Sequence, residues 1–198
     1  MKRHKSILYL GTEDNSKSSM GLSEIIEDGW NVDAVIAYVP EDHIEKSKKT
    51  NDSLQLMGII ISFLKRHQKL YMILRKLIYR NYQNTYFESM RDTCFKNGIK
   101  YYKTSDPSLA GMKELIEKSD PDVILSNGWQ FKIAQDIFSL AKIIALNCHS
   151  SYLPEYRGGN VTYAPLINEE KTSGVTVHEL VEQFDSGRIL AQKRVQIS

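Results

Sequence analysis

The chain has 198 residues, 41% of them hydrophobic and 25% charged, with a net charge of +2, the values of one soluble globular domain long enough to bury a core. So small a positive excess leaves no nucleic-acid footprint, and two cysteines, Cys94 and Cys148, are too few for a disulfide or metal framework. The basic start, Met1-Lys2-Arg3-His4-Lys5, is followed by an apolar run that stops at Gly11, too short for a signal peptide, so a cytoplasmic protein is expected.

In chain order, residues 6–10 read as a buried strand and 11–19 as a turn rich in Gly, Thr, Asp, Asn and Ser. A short helix is predicted over 20–27 and a second buried strand over 32–39. The alternation then breaks. From Pro40 to about Gln83 the chain turns polar and then apolar and basic; over 54–82, Met57, Ile60, Ile61, Leu64, Leu70, Ile73, Leu74, Leu77 and Ile78 recur at helical steps while Lys65, Arg66, Lys69, Arg75, Lys76 and Arg80 take other positions. A helical insertion at about 41–90 is therefore expected inside a single domain, amphipathic but too charged to cross a membrane.

Residues 86–97 continue as helix with Gly98 as its C-cap, and 99–102 form a third strand. Asp106-Pro107-Ser108 is expected to start a helix through Leu109, Met112, Leu115 and Ile116, and 122–126 a fourth strand ending at Asn127-Gly128-Trp129. The apolar run Lys142-Ile143-Ile144-Ala145-Leu146 is a further strand. A helix is predicted over 161–168, a strand over 175–180 on the alternation of Val, Thr, Val, His, Glu and Leu, and a last strand over 189–197. Strands alternating with helices imply an α/β fold with a mostly parallel sheet.

Polar groups gather where the run 142–146 ends. Asn147 offers an amide donor, His149 a titratable ring, and Asp185 a carboxylate able to orient or charge that ring. No nucleophile accompanies them: Ser150 and Ser151 lie outside any Gly-x-Ser-x-Gly elbow, and Cys148 points away from its neighbours if the segment is extended. Asn, His and Asp suit the stabilisation of a developing oxyanion and the shuttling of protons while the substrate brings its own nucleophile, as in acyl transfer to an amine.

Four motifs in order carry a resemblance: Asn147-Cys148-His149, Ser151-Tyr152-Leu153-Pro154-Glu155-Tyr156-Arg157-Gly158-Gly159, Ser173-Gly174-Val175-Thr176-Val177-His178, and Phe184-Asp185-Ser186-Gly187-Arg188-Ile189-Leu190. Through them the sequence resembles the formyltransferase family that takes its formyl group from formyltetrahydrofolate. The match is dense over the last third and only a βα pattern before it. The resemblance implies a Rossmann-like open twisted sheet, mostly parallel, with helices on both faces. It implies 10-formyltetrahydrofolate as co-substrate, no metal, and Asn147, His149 and Asp185 as the catalytic set. It also implies that Trp129, Gln130, Phe131, Ile133, Val181 and Phe184 line the folate pocket and that Ser151, Tyr152, Arg157, Gly158 and Gly159 face the acceptor. His178 reads as structural or as a pocket wall.

Members acting on glycinamide ribonucleotide carry a glycine-rich phosphate loop where this chain has Gly11-Thr12-Glu13-Asp14-Asn15-Ser16, with two carboxylates that would repel a phosphate. A nucleotide-linked amino sugar of surface-glycan (O-antigen) synthesis, such as a dTDP-sugar, is accordingly the expected acceptor. Glycinamide ribonucleotide, initiator aminoacyl-tRNA, water, and a non-catalytic folate or nucleotide-sugar binder are the alternatives. Only 13 residues follow Asp185, fewer than in the family at large. Either a compact member or a chain missing its end is expected, with a homodimer as one way to cover the last strand's edge.

Overall fold

The structure, a computed structural model, describes residues 5–13, 15–40, 88–159 and 161–197. The helical insertion expected at about 41–90 lies outside them but for its last three residues. The chain divides into a unit made of Met1–Val39 with Glu88–Ser198 and a second of Pro40–Phe87; every element named below belongs to the first.

β1 (Ile7–Thr12) is buried along its whole length, and alternate residues feed two cores on opposite faces. Leu8 and Leu10 join Ile36, Ile124, Leu109, Ile116 and Ile137 on one side. Ile7 and Tyr9 join Leu22, Val35, Met90 and Cys94 on the other. A strand apolar on both faces belongs at the centre of a sheet covered by helices, and β1 sits there, parallel to β2 (Val32–Tyr38) on one side and β4 (Val123–Asn127) on the other.

The seven strands run in the order β3-β2-β1-β4-β5-β6-β7. β3 (Lys100–Thr104) and β5 (Ile144–His149) continue the parallel set, while β6 (Thr172–Glu179) is antiparallel to β5 and β7 (Ile189–Gln196) antiparallel to β6. The sheet is thus open and mostly parallel, as expected. α1 (Ser16–Glu27) and α2 (Met90–Asn97) supply Leu22, Met90 and Cys94 to one core. α3 (Lys113–Ser119) and α4 (Gln135–Phe138) supply Ile116 and Ile137 to the other, so helices cover both faces. α5 (Ala164–Ile167) precedes β6. Among the described residues no helix is long and apolar enough to cross a membrane.

Several helices differ from the sequence reading. α1 begins at Ser16, inside the stretch read as a turn, because Asn15 caps it by accepting from the Lys17 and Ser18 amides at 3.0 and 3.3 Å. The Ser18 hydroxyl is buried, accepts from the Thr12 amide at 3.1 Å and donates to the Asn127 carbonyl at 2.7 Å. A serine run that packs through hydrogen bonds carries no apolar period to reveal a helix. The helix expected from Asp106 starts only at Lys113, after a 3₁₀ turn over Ala110–Met112. Asp106 instead accepts from the Ser108 amide and hydroxyl and the Gly111 amide, a local bonding that competes with helix formation. α4 was not anticipated.

Candidate active site

β5 does not stop at Leu146: it runs on through Asn147, Cys148 and His149. The two-residue period of a strand then puts Asn147 and His149 on one face and Cys148 on the other. The antiparallel register sets His178 opposite Asn147 and Thr176 opposite His149, so a second histidine joins the same face from β6. A cleft of about 1120 Å³ opens beside these residues, where β4 and β5 end, the crevice expected of an open α/β sheet.

Asp185 reaches the same point from the loop between β6 and β7. Its φ of 46° is a left-handed conformation that Asp tolerates better than most residues. One carboxylate oxygen, Oδ2, accepts the Gly158 amide at 2.7 Å and lies 3.6 Å from His149 Nδ1. The other, Oδ1, lies 3.3 Å from His178 Nε2 and 3.5 Å from Asn147 Nδ2. All three ionisable side chains are at least nine-tenths buried. Burial alone would push the Asp185 carboxyl up; the His178 contact, the Gly158 amide and the nearby histidines outweigh it and hold the carboxyl below its ordinary value.

His149 is held from behind. Its Nε2–H donates to the Tyr156 carbonyl at 2.9 Å. The Ser151 hydroxyl, wholly buried, donates to the Glu155 and Tyr156 carbonyls at 2.8 and 3.2 Å and so fixes the turn that presents the latter. Behind that turn the Thr176 hydroxyl donates to the Ser151 carbonyl at 2.7 Å and accepts from the Leu153 amide and from Gln192 Nε2 on β7, whose other contact is the Leu153 carbonyl.

These contacts correct the expected acceptor-facing set. Ser151 is a brace with no exposed surface, and the Tyr152 ring lies under the Arg194 guanidinium at 3.8 Å, away from the cleft. Arg157, Gly158 and Gly159 do line the cleft, but the Gly158 amide is spent on Asp185. Of the two loop carboxylates, Glu13 needs revision as well. Glu13 is bonded to the Tyr101 hydroxyl and 3.8 Å from Lys103 Nζ and does not line the cleft; Asp14 lies outside the described residues.

Two kinds of residue line the cleft. One set is apolar: Trp129, Phe131, Ile133, Leu180, Val181 and Phe184, interleaved in sequence with Gln130, Lys132 and Glu182. Tyr38 packs edge-on against two of them, its ring centroid 5.8 Å from that of Trp129 and 4.7 Å from that of Phe131. Trp129 belongs both to the core and to the cleft wall, and its buried indole N–H has no hydrogen-bond partner. The other set is cationic and polar and includes Lys17, Arg157, Thr162 and Tyr163; Lys17 Nζ donates to the Thr162 hydroxyl at 2.8 Å, and desolvation there lowers its amine from the usual value.

Sequence reasoning missed His178 as a member of the cluster, along with Lys17, Thr162 and Tyr163. The signal for His178 was present in the alternation of Thr176 and His178 against Val175 and Val177, which puts the polar pair on one face. Which residue it would meet depended on the register with β5. For Lys17 no signal existed until α1 was known to begin one residue before it.

A mostly parallel open sheet, with its cleft at the strand ends and Asn147, His149, His178 and Asp185 meeting in it, defines an α/β ligand-binding domain with a polar centre suited to stabilising charge. The family described as Formyl transferase matches residues 6–198, and the chain belongs to that family. It is 26% identical over 195 residues to the methionyl-tRNA formyltransferase of Lactobacillus johnsonii (strain CNCM I-12250 / La1 / NCC 533), covering 98% of this chain and 49% of that protein. It is 31% identical over 115 residues to the bifunctional polymyxin resistance protein ArnA of Wigglesworthia glossinidia brevipalpis, covering 58% of this chain and 18% of that one. The chain thus spans half or less of these relatives. Among solved structures, glycinamide ribonucleotide transformylase 1 from Geobacillus kaustophilus superposes with a TM-score of 0.66 at 14% identity, over 99% of this chain and 85% of that one, a likeness of fold.

Proposed function

We propose that the protein transfers a formyl group from 10-formyltetrahydrofolate to the amine of a nucleotide-linked amino sugar in surface-glycan synthesis, in the cytoplasm. The observation that carries this is the meeting of Asn147, His149 and Asp185, from segments far apart in sequence, in one cleft. The apolar lining, with the rings of Trp129, Phe131 and Phe184, fits a flat heterocycle such as the donor's pterin. Trp129, Gln130, Phe131, Ile133, Val181 and Phe184 would hold it there.

The donor supplies the formyl carbon, and the acceptor supplies the attacking amine. The bond between amine nitrogen and formyl carbon forms, the bond from that carbon to the donor's nitrogen breaks, and one proton passes from the amine to the departing nitrogen. Asn147 donates an N–H to the formyl oxygen as that atom gains charge. His149 is held at one nitrogen by the Tyr156 carbonyl at 2.9 Å and has Asp185 3.6 Å from the other, which fixes the ring beside the developing charge. Asp185 holds that ring in place.

Lys17 and Arg157 in the cleft lining favour a phosphorylated acceptor. Asn15 already occupies the first-turn amides of α1, so side chains, Lys17 and Arg157, would meet the phosphates there, unlike a loop that binds through bare backbone. The family relatives supply the competing acceptors, glycinamide ribonucleotide and methionyl-tRNA.

Incubation with 10-formyltetrahydrofolate and each of a panel of dTDP- and UDP-linked amino sugars, glycinamide ribonucleotide and methionyl-tRNA tests this, read by mass spectrometry for one added formyl group. Formylation of an amino sugar is the expected result. Formate release without acceptor would indicate a hydrolase, and binding without turnover a non-catalytic paralogue. Asn147→Ala, His149→Ala and Asp185→Ala should each lower turnover by on the order of a hundredfold or more.

A further inference from the structure

Leu153 is 2% exposed, and both of its backbone polar groups are taken by side chains of the two antiparallel strands. Its amide donates to the Thr176 hydroxyl at 3.1 Å, and its carbonyl accepts from Gln192 Nε2 at 2.7 Å. Thr176 on β6 and Gln192 on β7 stand directly opposite each other in the register, and the same Gln192 nitrogen donates to the Thr176 hydroxyl at 3.0 Å. That hydroxyl gives its own proton to the Ser151 carbonyl at 2.7 Å. Two facing side chains thus grip three backbone groups of residues 151–153.

The grip passes to the site through bonds whose directions are fixed. Carbonyl oxygens only accept, so Gln192 turns its N–H edge to Leu153, and the His149 nitrogen 2.9 Å from the Tyr156 carbonyl carries a proton whether the ring is neutral or charged. For the same reason the buried Ser151 hydroxyl donates to the Glu155 and Tyr156 carbonyls. Tyr156 has a φ of 56°, a left-handed conformation that an aromatic residue keeps only when its surroundings hold it. The turn then leads into Gly158, whose amide bonds Asp185 at 2.7 Å, so one short segment puts an acceptor on His149 and a donor on its carboxylate neighbour. We propose that Gln192 is a positioning residue for His149: by fixing Leu153 and, through Thr176, Ser151, it sets where the turn presents the Tyr156 carbonyl and hence where the imidazole stands. The kinetic part rests on the formyl-transfer function proposed above; the placing of the ring does not.

None of Ser151, Leu153, Tyr156, Thr176 and Gln192 lines the cleft, so a change at 192 reaches the chemistry through the ring and not through a contact with substrate. Gln192 is itself only partly buried, and its replacement empties no core position. Gln196, four residues along β7 and on the same face by the strand's two-residue period, is exposed and serves as the control.

The placing of the ring is measurable without turnover. In ¹⁵N-labelled protein the His149 Nε2–H should give a resonance that exchanges slowly with water. In Gln192→Met, of similar length but without donors, that resonance should shift and exchange faster; in Gln196→Met it should not move. Gln192→Lys, which can donate to both the Leu153 carbonyl and the Thr176 hydroxyl, should restore most of the wild-type signal. Kinetically, Gln192→Met should lower kcat about tenfold with little change in KM for either substrate, and Gln192→Lys should recover most of that loss. In a His149→Ala background Gln192→Met should cost almost nothing further, since its effect runs through the missing ring. An unmoved His149 resonance in Gln192→Met, or additive losses in the double variant, would overturn the proposal. If Gln192→Met does not fold, Gln192→Glu, the same shape with acceptors in place of donors, is read in the same way. A wild-type protein inert towards every acceptor would refute the transfer function, while the resonance would still decide the placing of the ring.

Discussion

The loop that delivers Asp185 passes so close to β6 that a single methyl group should dislodge it. A Cβ on Gly187 would stand 1.9 Å from the Glu179 carbonyl oxygen and 2.8 Å from its carbon, against an ordinary contact of 3.4 Å or more. Both are backbone atoms, so the loop itself must retreat, by about 1.5 Å, from the difference between 3.4 and 1.9 Å. The Arg188 carbonyl next in the chain, which accepts from the Glu179 amide at 3.0 Å, would be pulled off its partner. Asp185, two residues earlier, would lose its 2.7 Å bond from Gly158 and its placement against both histidines. Overpacking of this kind costs about 1–3 kcal/mol, and misplacing a reacting group by about 1 Å can cost on the order of a hundredfold in rate. Gly187→Ala should therefore lower both the melting temperature and kcat/KM, measured by thermal denaturation and by the mass-spectrometric formylation assay. Gly111→Ala, with nothing within 4 Å of its Cβ, is the matched control and should be silent. A Gly187→Ala protein equal to wild type in both assays would refute the placement of the loop.

Asp185→Asn should flatten the acid limb of stability. The folded carboxyl titrates below its ordinary value of about 4, so its stabilising contribution is complete above that pH and disappears as pH falls through the folded value; urea melts of the two proteins should converge in acid. Ser18→Ala removes a buried hydroxyl that bridges β1 and β4 and leaves the Thr12 amide and the Asn127 carbonyl short of a partner, a loss of about 1–3 kcal/mol by denaturant titration. Cys148 should react slowly with iodoacetamide near neutral pH, because burial raises its thiol, and more slowly still in Lys17→Ala, because the Lys17 charge lowers it. Cys94, buried and raised to about 12, should stay unmodified in the folded protein, so one site of alkylation is expected by mass spectrometry.

The central strands were legible because their burial is written as short apolar runs: Ile7-Leu8-Tyr9-Leu10 and Ala34-Val35-Ile36-Ala37, bounded by turn residues, read as strands covered on both faces. Asn147, His149 and Asp185 were legible as residue types with an attached family pattern. Their company was not. The presence of His178 depends on β6 pairing with β5 in an antiparallel register that sets residue 178 opposite 147, and Lys17 depends on a capped serine helix with no apolar period to announce it. Ser151 failed in the opposite sense: the family resemblance implied that it faces the acceptor, whereas its hydroxyl is turned inward to hold the Glu155 and Tyr156 carbonyls. A matching motif says little about which way a hydroxyl points once the strand has ended.

Gln192 sits on the outermost strand, yet its amide ends a relay of polar contacts through Thr176, Ser151 and Tyr156 to the imidazole of His149. The aim of that ring is thereby tied to a position outside the cleft lining. Substitutions on the sheet's far rim can detune the chemistry while every residue in the cleft is left as it was.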